Sequence, residues 1–169
     1  MTSTNLFARS SPAGELLTAW WQDLQQNRGD RAELRRCHSP DDAVVLPVTI
    51  NLITQLRHTP VAEHRGWMNR IPLVAGLSAH LDADEPTRSL PERMASRTGD
   101  RPVVSQIRFR RLLRTPRREL YRPMIRILAL IERRANLCEL AESMFWWGPR
   151  IQKEWALAYF PNTPQTTTH

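Results

Sequence analysis

Helix start signals recur along this 169-residue chain, and they constrain its fold more than any other feature. Ser, Thr, Asp or Asn followed by Pro, or placed three residues before Glu, is typical of a helix N-terminus, because its side-chain oxygen accepts a hydrogen bond from a free backbone N–H. Such signals stand at Ser11-Pro12, Asp30-x-x-Glu33, Ser39-Pro40, Ser89-x-x-Glu92, Thr115-Pro116 and Asn136-x-x-Glu139. Few segments alternate with period two, and no Asn-Gly or Asp-Gly turn joins a pair of them. The pattern predicts an all-α fold.

The expected helices are interrupted in the middle of the chain. A first helix is expected to stop at Arg28-Gly29 and a second to start at Asp30. Between residues 61 and 81 the helical pattern is weak, and Pro72 is expected to kink or break it. Residues 82–91 are polar and predict a loop. We therefore predict two small helical bundles in one chain, an N-terminal bundle over 1–95 and a C-terminal bundle over 96–160, with a flexible tail over 161–169.

Composition excludes several classes of protein. Apolar residues make up 41% of the chain and charged residues 24%, which is ordinary for a folded domain and argues against general disorder. The apolar runs, such as those at 43–48 and 127–131, are far shorter than the roughly 20 residues that span a bilayer. Residues 1–11 contain no apolar stretch typical of a secretory signal. Cys37 and Cys138 have no patterned partners and predict reduced thiols in a cytoplasmic protein.

Positive charge is concentrated in one part of the sequence. The chain has 24 basic and 17 acidic residues, a net charge of +7, and Lys153 is its only lysine. Residues 97–134 hold twelve arginines against three acids, a net of +9, whereas the rest of the chain has a net of −2. A local block of one sign predicts a polyanionic partner better than the total charge does.

Within this block, residues 116–135 predict one long helix with two opposite faces. Arg118, Arg122 and Arg126 follow one another four residues apart, and Arg133 returns to the same side. Four residues of helix rise about 6 Å, a length similar to the phosphate spacing of an extended strand. The opposite side is an apolar stripe that predicts a core face: Leu120, Met124, Ile127, Leu128 and Ile131. A solvated face usually mixes signs, so this ladder favours contact with nucleic acid over a merely solvated face.

A preceding helix is predicted over residues 102–113. Phe109, Leu112 and Leu113 share one side, and the other side mixes aliphatic residues with Arg110, Arg111 and nearby arginines. No zinc finger, recognition helix or sheet-type RNA-binding signature is present. Arginines without a motif that recognises bases predict contact with the phosphate backbone. Such contact gives salt-dependent affinity without sequence specificity.

Enzymatic and metal-binding patterns are missing from the sequence. No histidine has metal-ligand spacing, and there is no nucleophile elbow or phosphate-binding glycine loop. Asp82, Asp84 and Glu85 could hold a divalent ion, but a solvated acidic turn is favoured. The pairs Trp20-Trp21 and Trp146-Trp147 could stack on bases, but their helical spacing favours the core. We expect no catalytic residues, metal or cofactor.

Several segments together resemble the CasB family, the small subunit of the type I-E CRISPR effector called Cascade. The resemblance spans about residues 13–160 and is carried by a Trp-rich first helix followed by GDRAELRR at 29–36, by IRFRRLLR at 107–114, and by FWWGPR at 145–150 before a last helix that ends in Tyr159-Phe160. It implies an all-helical, non-catalytic subunit of two small bundles.

The resemblance also implies partners and binding residues. The partners are the Cascade backbone subunits, the large subunit and a second copy of the chain, with crRNA and target DNA, including the displaced single strand; no membrane or small-molecule substrate is implied. In such assemblies base pairing between the crRNA and the target DNA determines sequence specificity, and the protein contacts the nucleic-acid backbone. The family's basic positions fall on Arg31, Arg35, Arg36, Arg108, Arg110, Arg111, Arg114, Arg126 and Arg150. With the ladder residues Arg118 and Arg122, these form the predicted nucleic-acid-binding set.

Two hypotheses of different classes therefore stand. In the first, the chain holds single-stranded DNA and the R-loop by arginine–phosphate contacts. In the second, it is a protein–protein scaffold whose arginines mainly contact acidic faces of neighbouring subunits.

Overall fold

The computed structural model describes residues 5–162, and ten α-helices with four short 3-10 turns form most of that part of the chain. The helices are α1 (Pro12–Gln26), α2 (Arg28–Arg36), α3 (Pro40–Val44), α4 (Pro47–Leu56), α5 (Ile71–Ser78), α6 (Leu90–Ala95), α7 (Gln106–Leu113), α8 (Tyr121–Leu130), α9 (Leu137–Phe145) and α10 (Pro149–Tyr159). The all-α prediction is confirmed. Of the predicted tail at 161–169, the first two residues close a 3-10 turn (Phe160–Asn162), and the remainder lies outside the described residues.

Most of the predicted start signals cap a helix. The side-chain oxygen of each capping residue accepts a hydrogen bond from the backbone N–H three residues on. These residues are Ser11 of α1, Ser39 of α3, Ser89 of α6 and Asn136 of α9. The second helix begins at Arg28 rather than at Asp30, because Asn27 supplies the cap by accepting from the Asp30 N–H at 3.3 Å.

The core is continuous through the described part of the chain, and α5 lies inside it. Every residue of α5 is buried, and the helix packs against α3, α8 and α9. The predicted break at Pro72 is present, because the stretch 61–81 is divided into two 3-10 turns (Pro60–Glu63 and Trp67–Asn69) and α5, which begins one residue before the proline. Pro72 itself lies in the first turn of α5, where a backbone N–H has no helical acceptor. The division into bundles at 1–95 and 96–160 stays a prediction.

Two pairs of very short strands replace expected loop and helix. β1 (Ala83–Asp84) lies within the stretch 82–91 that was expected to be a loop. It pairs in parallel with β4 (Arg134–Ala135), at the end of the stretch that was expected to be a helix. β2 (Arg97–Thr98) pairs antiparallel with β3 (Arg101–Pro102) around Gly99, whose φ of +64° is in the left-handed region. The helix predicted from residue 102 therefore starts later, at Gln106, with Ser105 as its cap.

The single helix predicted over 116–135 is wrong at both ends, although its core stripe is confirmed. A proline cannot donate to the carbonyl four residues back, so the chain before Pro123 forms a 3-10 turn (Arg117–Glu119), and α8 begins at Tyr121. After α8, Glu132 and Arg133 adopt left-handed φ angles of 62° and 56°. The chain there turns into β4. All five residues of the predicted apolar stripe are buried.

No helix within residues 5–162 combines the length and the apolar character needed to cross a bilayer. Cys37 and Cys138 are both free cysteines, the first half-buried and the second buried.

Candidate nucleic-acid interface

Helix α7 places four of the predicted arginines at the surface. Phe109 and Leu112 are buried on its inner side, and Tyr159 of α10 stacks on Phe109 with ring centroids 3.8 Å apart. The exposed arginines are Arg108, Arg110 and Arg111 on the helix and Arg114 directly after it. Because the aromatic packing fixes the rotation of α7 about its axis, the direction in which these arginines leave the helix is fixed as well.

Helix α8 presents two further arginines. Its buried side carries Met124, Ile127 and Leu128. Arg122 and Arg126 are exposed and follow each other by four residues, so they lie on one face about 6 Å apart along the axis. Two rungs of the predicted ladder are therefore present on α8. Arg133 is not part of it, because the left-handed turn takes it off the helix.

The two helices enclose a groove, which we call the α7–α8 groove. It has a volume of about 200 Å³, and its lining consists of Arg108, Arg111, Leu112, Thr115, Pro123, Arg126 and Ile127. Three arginines thus line one groove together with apolar residues, and none of the lining residues is acidic. None of these three arginines forms an ion pair within the described part of the chain. The groove therefore lacks an internal counter-charge and is suited to an anionic ligand.

The other predicted arginines of the basic block have different surroundings. Arg118 lines a separate cleft of about 520 Å³ that also contains Asp41. The guanidinium of Arg110 lies 5.6 Å from the centre of the Phe160 ring, a cation–π contact. Arg114 is exposed beyond the end of α7. Only part of the block therefore converges on one place.

Arg31 and Arg150 form ion pairs within the chain. Arg31 contacts Asp82 at 2.6 Å and donates to the Leu81 carbonyl at 3.1 Å. Arg150 contacts Glu154, one turn later on α10, at 3.2 Å. Arg36 is exposed at the end of α2. The first two side chains are thus less available to an external phosphate than those of the α7–α8 groove.

One arginine in the middle of the block is structural, and sequence reasoning did not separate it from its neighbours. Arg117 donates to the carbonyl oxygens of Phe145 and Trp147 at 2.9 and 3.1 Å. Burial, and then the charge of Arg70, lowers the pKa of Arg117. Its side chain satisfies carbonyls at the end of α9 that have no helical donor.

The acidic turn at 82–85 and most of the tryptophans make contacts within the protein. The three acids that could have held a divalent ion pair with arginines instead. Asp82 pairs with Arg31 and Asp84 with Arg9, whereas Glu85 pairs with both Arg93 and Arg134. Within residues 5–162, no three His, Cys, Asp or Glu side chains come together as a metal site. Trp20, Trp21 and Trp147 are buried, as their helical spacing predicts, and Trp146 is half-buried.

Two carboxylates of α9 line a cleft of about 560 Å³, and both accept hydrogen bonds from backbone N–H groups. Glu139 accepts from the Leu90 N–H with its two oxygens, at 3.0 and 3.1 Å, and burial raises its pKa to about 7. Glu142 accepts from the N–H groups of Leu6 and Phe7 at 3.3 and 2.8 Å, and burial raises its pKa as well. Their contacts are those of structural acceptors.

Comparisons with known proteins give one matching family and two solved structures with a similar fold. The sequence model of the family described as CRISPR-associated protein Cse2 (CRISPR_cse2) matches residues 30–160. CasB from Thermus thermophilus superposes with a TM-score of 0.65 at 20% identity, over 89% of this chain and 99% of that one. A chain in the crystal structure of E. coli Cascade bound to a PAM-containing dsDNA target superposes with a TM-score of 0.62 at 17% identity, over 87% of this chain and 95% of that one. No curated protein matches the sequence.

Proposed function

Because the chain belongs to the CRISPR-associated Cse2 family, we propose that it is a non-catalytic small subunit of a type I-E Cascade complex. In this role it binds the nucleic-acid backbone, without reading sequence, and stabilises the crRNA–target R-loop and the displaced strand. The similarity to a chain of E. coli Cascade bound to DNA supports membership of such a complex. The proposed partners are the backbone subunits, the large subunit and a second copy of the chain.

The α7–α8 groove is the observation that carries the nucleic-acid part of the proposal. Arg108 and Arg111 from one helix and Arg126 from the next face a common space without a carboxylate. Phosphate groups are the natural counter-charge, since guanidinium forms short, charge-assisted hydrogen bonds with their oxygens. Leu112 and Ile127 offer apolar surface but no pattern of donors and acceptors that could select a base. Binding is therefore expected to depend on salt and not on sequence.

A salt titration of single-stranded DNA binding tests the groove. The wild-type protein is compared with the triple variant Arg108→Gln, Arg111→Gln and Arg126→Gln by fluorescence anisotropy. For single strands, the logarithm of the binding constant falls with the logarithm of salt concentration by about 0.7 per neutralised phosphate. Removing three phosphate contacts is expected to reduce this slope by about 2.

A matched control separates the groove from total charge. The variant Arg28→Gln, Arg57→Gln and Arg65→Gln changes three exposed arginines outside the basic block and lowers net charge equally. It is expected to keep nearly the wild-type slope. Equal losses in the two variants would mean that binding follows total charge, and the groove would then not be the site.

A scaffold role is the second candidate, and exposed aliphatic side chains favour it. Val45 is 70% exposed beside Val44 and Ile50, and Ile107 is 72% exposed among the α7 arginines. Such side chains are typical of protein interfaces. If the wild-type protein does not bind single-stranded DNA at low salt, the arginines would be assigned to contacts with neighbouring subunits instead.

A further inference from the structure

Aliphatic side chains are exposed together where α3 meets α4. Within residues 5–162 six large hydrophobic side chains are exposed, and three of them lie in this short stretch: Val44, Val45 and Ile50. With the exposed acids Asp41 and Asp42 of α3, we call this surface the α3–α4 corner. A single exposed aliphatic side chain is ordinary on a protein surface, whereas a group of them is typical of a contact surface.

The backbone of the α3–α4 corner is held by the core. Ala43 and Thr49 are fully buried, and the indole N–H of Trp20 donates to the Val48 carbonyl at 2.9 Å. The Leu46 N–H donates to the Ala43 carbonyl at 3.2 Å, which closes the turn between the two helices. The exposed side chains are branched at Cβ and have few rotamers. The corner therefore loses little conformational entropy when a partner covers it.

Charge separates the corner from the basic surfaces of the chain. Residues 37–56 contain two acids and no lysine or arginine, in a chain with a net charge of +7. Asp42 accepts the His38 N–H at 2.9 Å, and Asp41 lines the cleft that also contains Arg118. Neither acid forms an ion pair within residues 5–162. The corner is thus apolar and negative, and it is unsuited to a phosphate backbone.

The chemistry of the corner indicates the chemistry of its occupant. Apolar side chains on the partner would cover Val45 and Ile50, and basic side chains would complement Asp41 and Asp42. A protein that lies along the same nucleic acid faces the same phosphates, so it is expected to be rich in lysine and arginine. The α7–α8 groove and the corner would then serve two different contacts, one with nucleic acid and one with protein.

We propose that the α3–α4 corner is the docking surface for a neighbouring protein subunit that presents apolar side chains within a rim of lysine or arginine. The inference rests on the proposed function, because it takes the neighbour to be another nucleic-acid-binding subunit of the complex. Val45 and Ile50 form the apolar centre of the contact, and Asp41 and Asp42 lie at its rim. Central contacts mainly slow dissociation, whereas rim charges mainly speed association.

Binding of the full-length chain to the rest of its complex tests the corner. The other Cascade subunits are purified together with crRNA but without this chain, and binding is followed by biolayer interferometry. Val45→Asp and Ile50→Asp are each expected to weaken binding by about tenfold or more, mainly through faster dissociation, because each buries a carboxylate in an apolar contact. Both positions are exposed in the free chain, so the urea midpoint is expected to stay unchanged.

A pair of variants tests the sign of the partner's charge. Val45→Lys places a cation where Val45→Asp places an anion, and it is expected to weaken binding more, because the partner's rim is basic. Asp41→Lys is expected to slow association at low salt, and this difference from the wild type is expected to shrink as salt screens the charges. If Val45→Lys binds as well as Val45→Asp or better, the partner is not basic and the proposal is overturned.

Leu157→Asp is the matched control for an added carboxylate. Leu157 is 65% exposed, but it lies on α10 beside polar side chains such as Lys153 and Glu154. This variant is expected to bind the complex as the wild type does. An equal loss of binding in Leu157→Asp would show that the effect is not specific to the corner, and it would overturn the proposal. The corner variants are also expected to keep the wild-type salt slope for single-stranded DNA, since the α7–α8 groove is unchanged.

The remaining outcomes separate this inference from the proposed function. If the wild-type chain does not bind the other subunits, the proposed function fails and the inference fails with it. If the wild-type chain binds and both aspartate variants bind equally well, only the inference fails. Sedimentation of the free chain tests a second copy as the occupant: a dimer that Val45→Asp converts to a monomer would overturn the assignment to a different subunit.

Discussion

Adjacent arginines in this chain perform different tasks, and their surroundings decide which. Arg117 and Arg118 follow each other in the sequence, but only Arg117 reaches the carbonyls at the end of α9. Arg118 is exposed and lines a cleft that also contains Asp41. The sequence could predict an arginine-rich surface, but it could not predict which arginine turns inward, because both have the same chemistry and a local pattern does not reveal α9.

Lysine at position 117 is expected to destabilise the protein. Both bonds come from one nitrogen at the far end of the guanidinium, Nη2. The lysine side chain is one bond shorter, so its ammonium does not reach both carbonyls without a shift of the surrounding backbone. The Phe145 carbonyl also accepts from Arg70 at 3.0 Å, so the Trp147 carbonyl is the group that loses the donor given for it. Arg117→Lys should therefore lower the free energy of unfolding by about 1–3 kcal/mol, the usual cost of a lost hydrogen bond to a partly buried group. Urea denaturation measures this change. Arg118→Lys is the control at the next residue; an equal loss there would contradict the assignment.

The pKa of Glu139 predicts a pH-dependent stability. Burial raises the pKa from about 4.5 to about 7, so the folded state holds the proton more tightly than the unfolded chain does. This contribution is fully present below about pH 4.5 and is lost as the pH rises through about 7. Glu139→Gln keeps an acceptor for the Leu90 N–H but does not titrate.

Comparison of Glu139→Gln with the wild type isolates that contribution. Relative to the wild type, the variant is expected to gain up to about 3 kcal/mol of stability between pH 4.5 and pH values above 7, given a shift of the size found for Glu139. Urea unfolding at a series of pH values gives the difference. The exposed Glu63→Gln is the control. A difference that does not change with pH would show that Glu139 stays ionised in the fold.

Among the secondary-structure elements, the sequence predicted where helices begin better than where they are interrupted. A cap such as Ser89 or Asn136 acts on residues two or three positions away, so the local sequence contains the necessary information. The breaks around α8 have distant or conformational causes. The turn at Glu132 and Arg133 exists because β4 pairs with β1, about fifty residues earlier, and neither residue type favours positive φ. No local pattern could have shown it.

The cap of α7 is expected to contribute to its stability. Ser105 accepts from the Arg108 N–H at 3.2 Å, and α7 has only eight residues over which to recover the cost of helix nucleation. Ser105→Ala should lower the free energy of unfolding by about 0.5–2 kcal/mol. Ser105→Thr, which retains the hydroxyl, should cost less. Thermal unfolding by circular dichroism compares the two; identical losses would mean that the hydroxyl does not cap the helix.

For the whole molecule, the sequence predicted the charged surface better than its shape. Concentration of arginines in 97–134 indicated an interface, and α7 and α8 do expose them. It did not indicate that Arg108, Arg111 and Arg126 share a groove, since that depends on how α7 and α8 pack. Nor did it indicate that the Arg133 carbonyl accepts from the N–H groups of Asp82 and Ala83, which requires that the turn before β4 packs on this distant segment.

The continuous core predicts that the two predicted bundles unfold together. Met94 of α6 is fully buried, and α6 packs against α10 at the other end of the sequence. Far-UV circular dichroism and tryptophan fluorescence should therefore give one urea midpoint. Met94→Ala should shift both signals equally, by about 2–5 kcal/mol in stability. Two separate midpoints would instead establish 1–95 and 96–160 as independent units.

The binding of the N-terminal segment by Glu142 has a consequence for biosynthesis. Leu6 and Phe7 bond to a residue more than 130 positions later, and the ring of Phe7 packs against Phe145 at 5.7 Å. Contacts of such large sequence separation form slowly and only after both ends exist. While the ribosome is still translating, Phe7 has no place to bury itself. Prematurely terminated products would accordingly expose this ring and become substrates for chaperones and proteases.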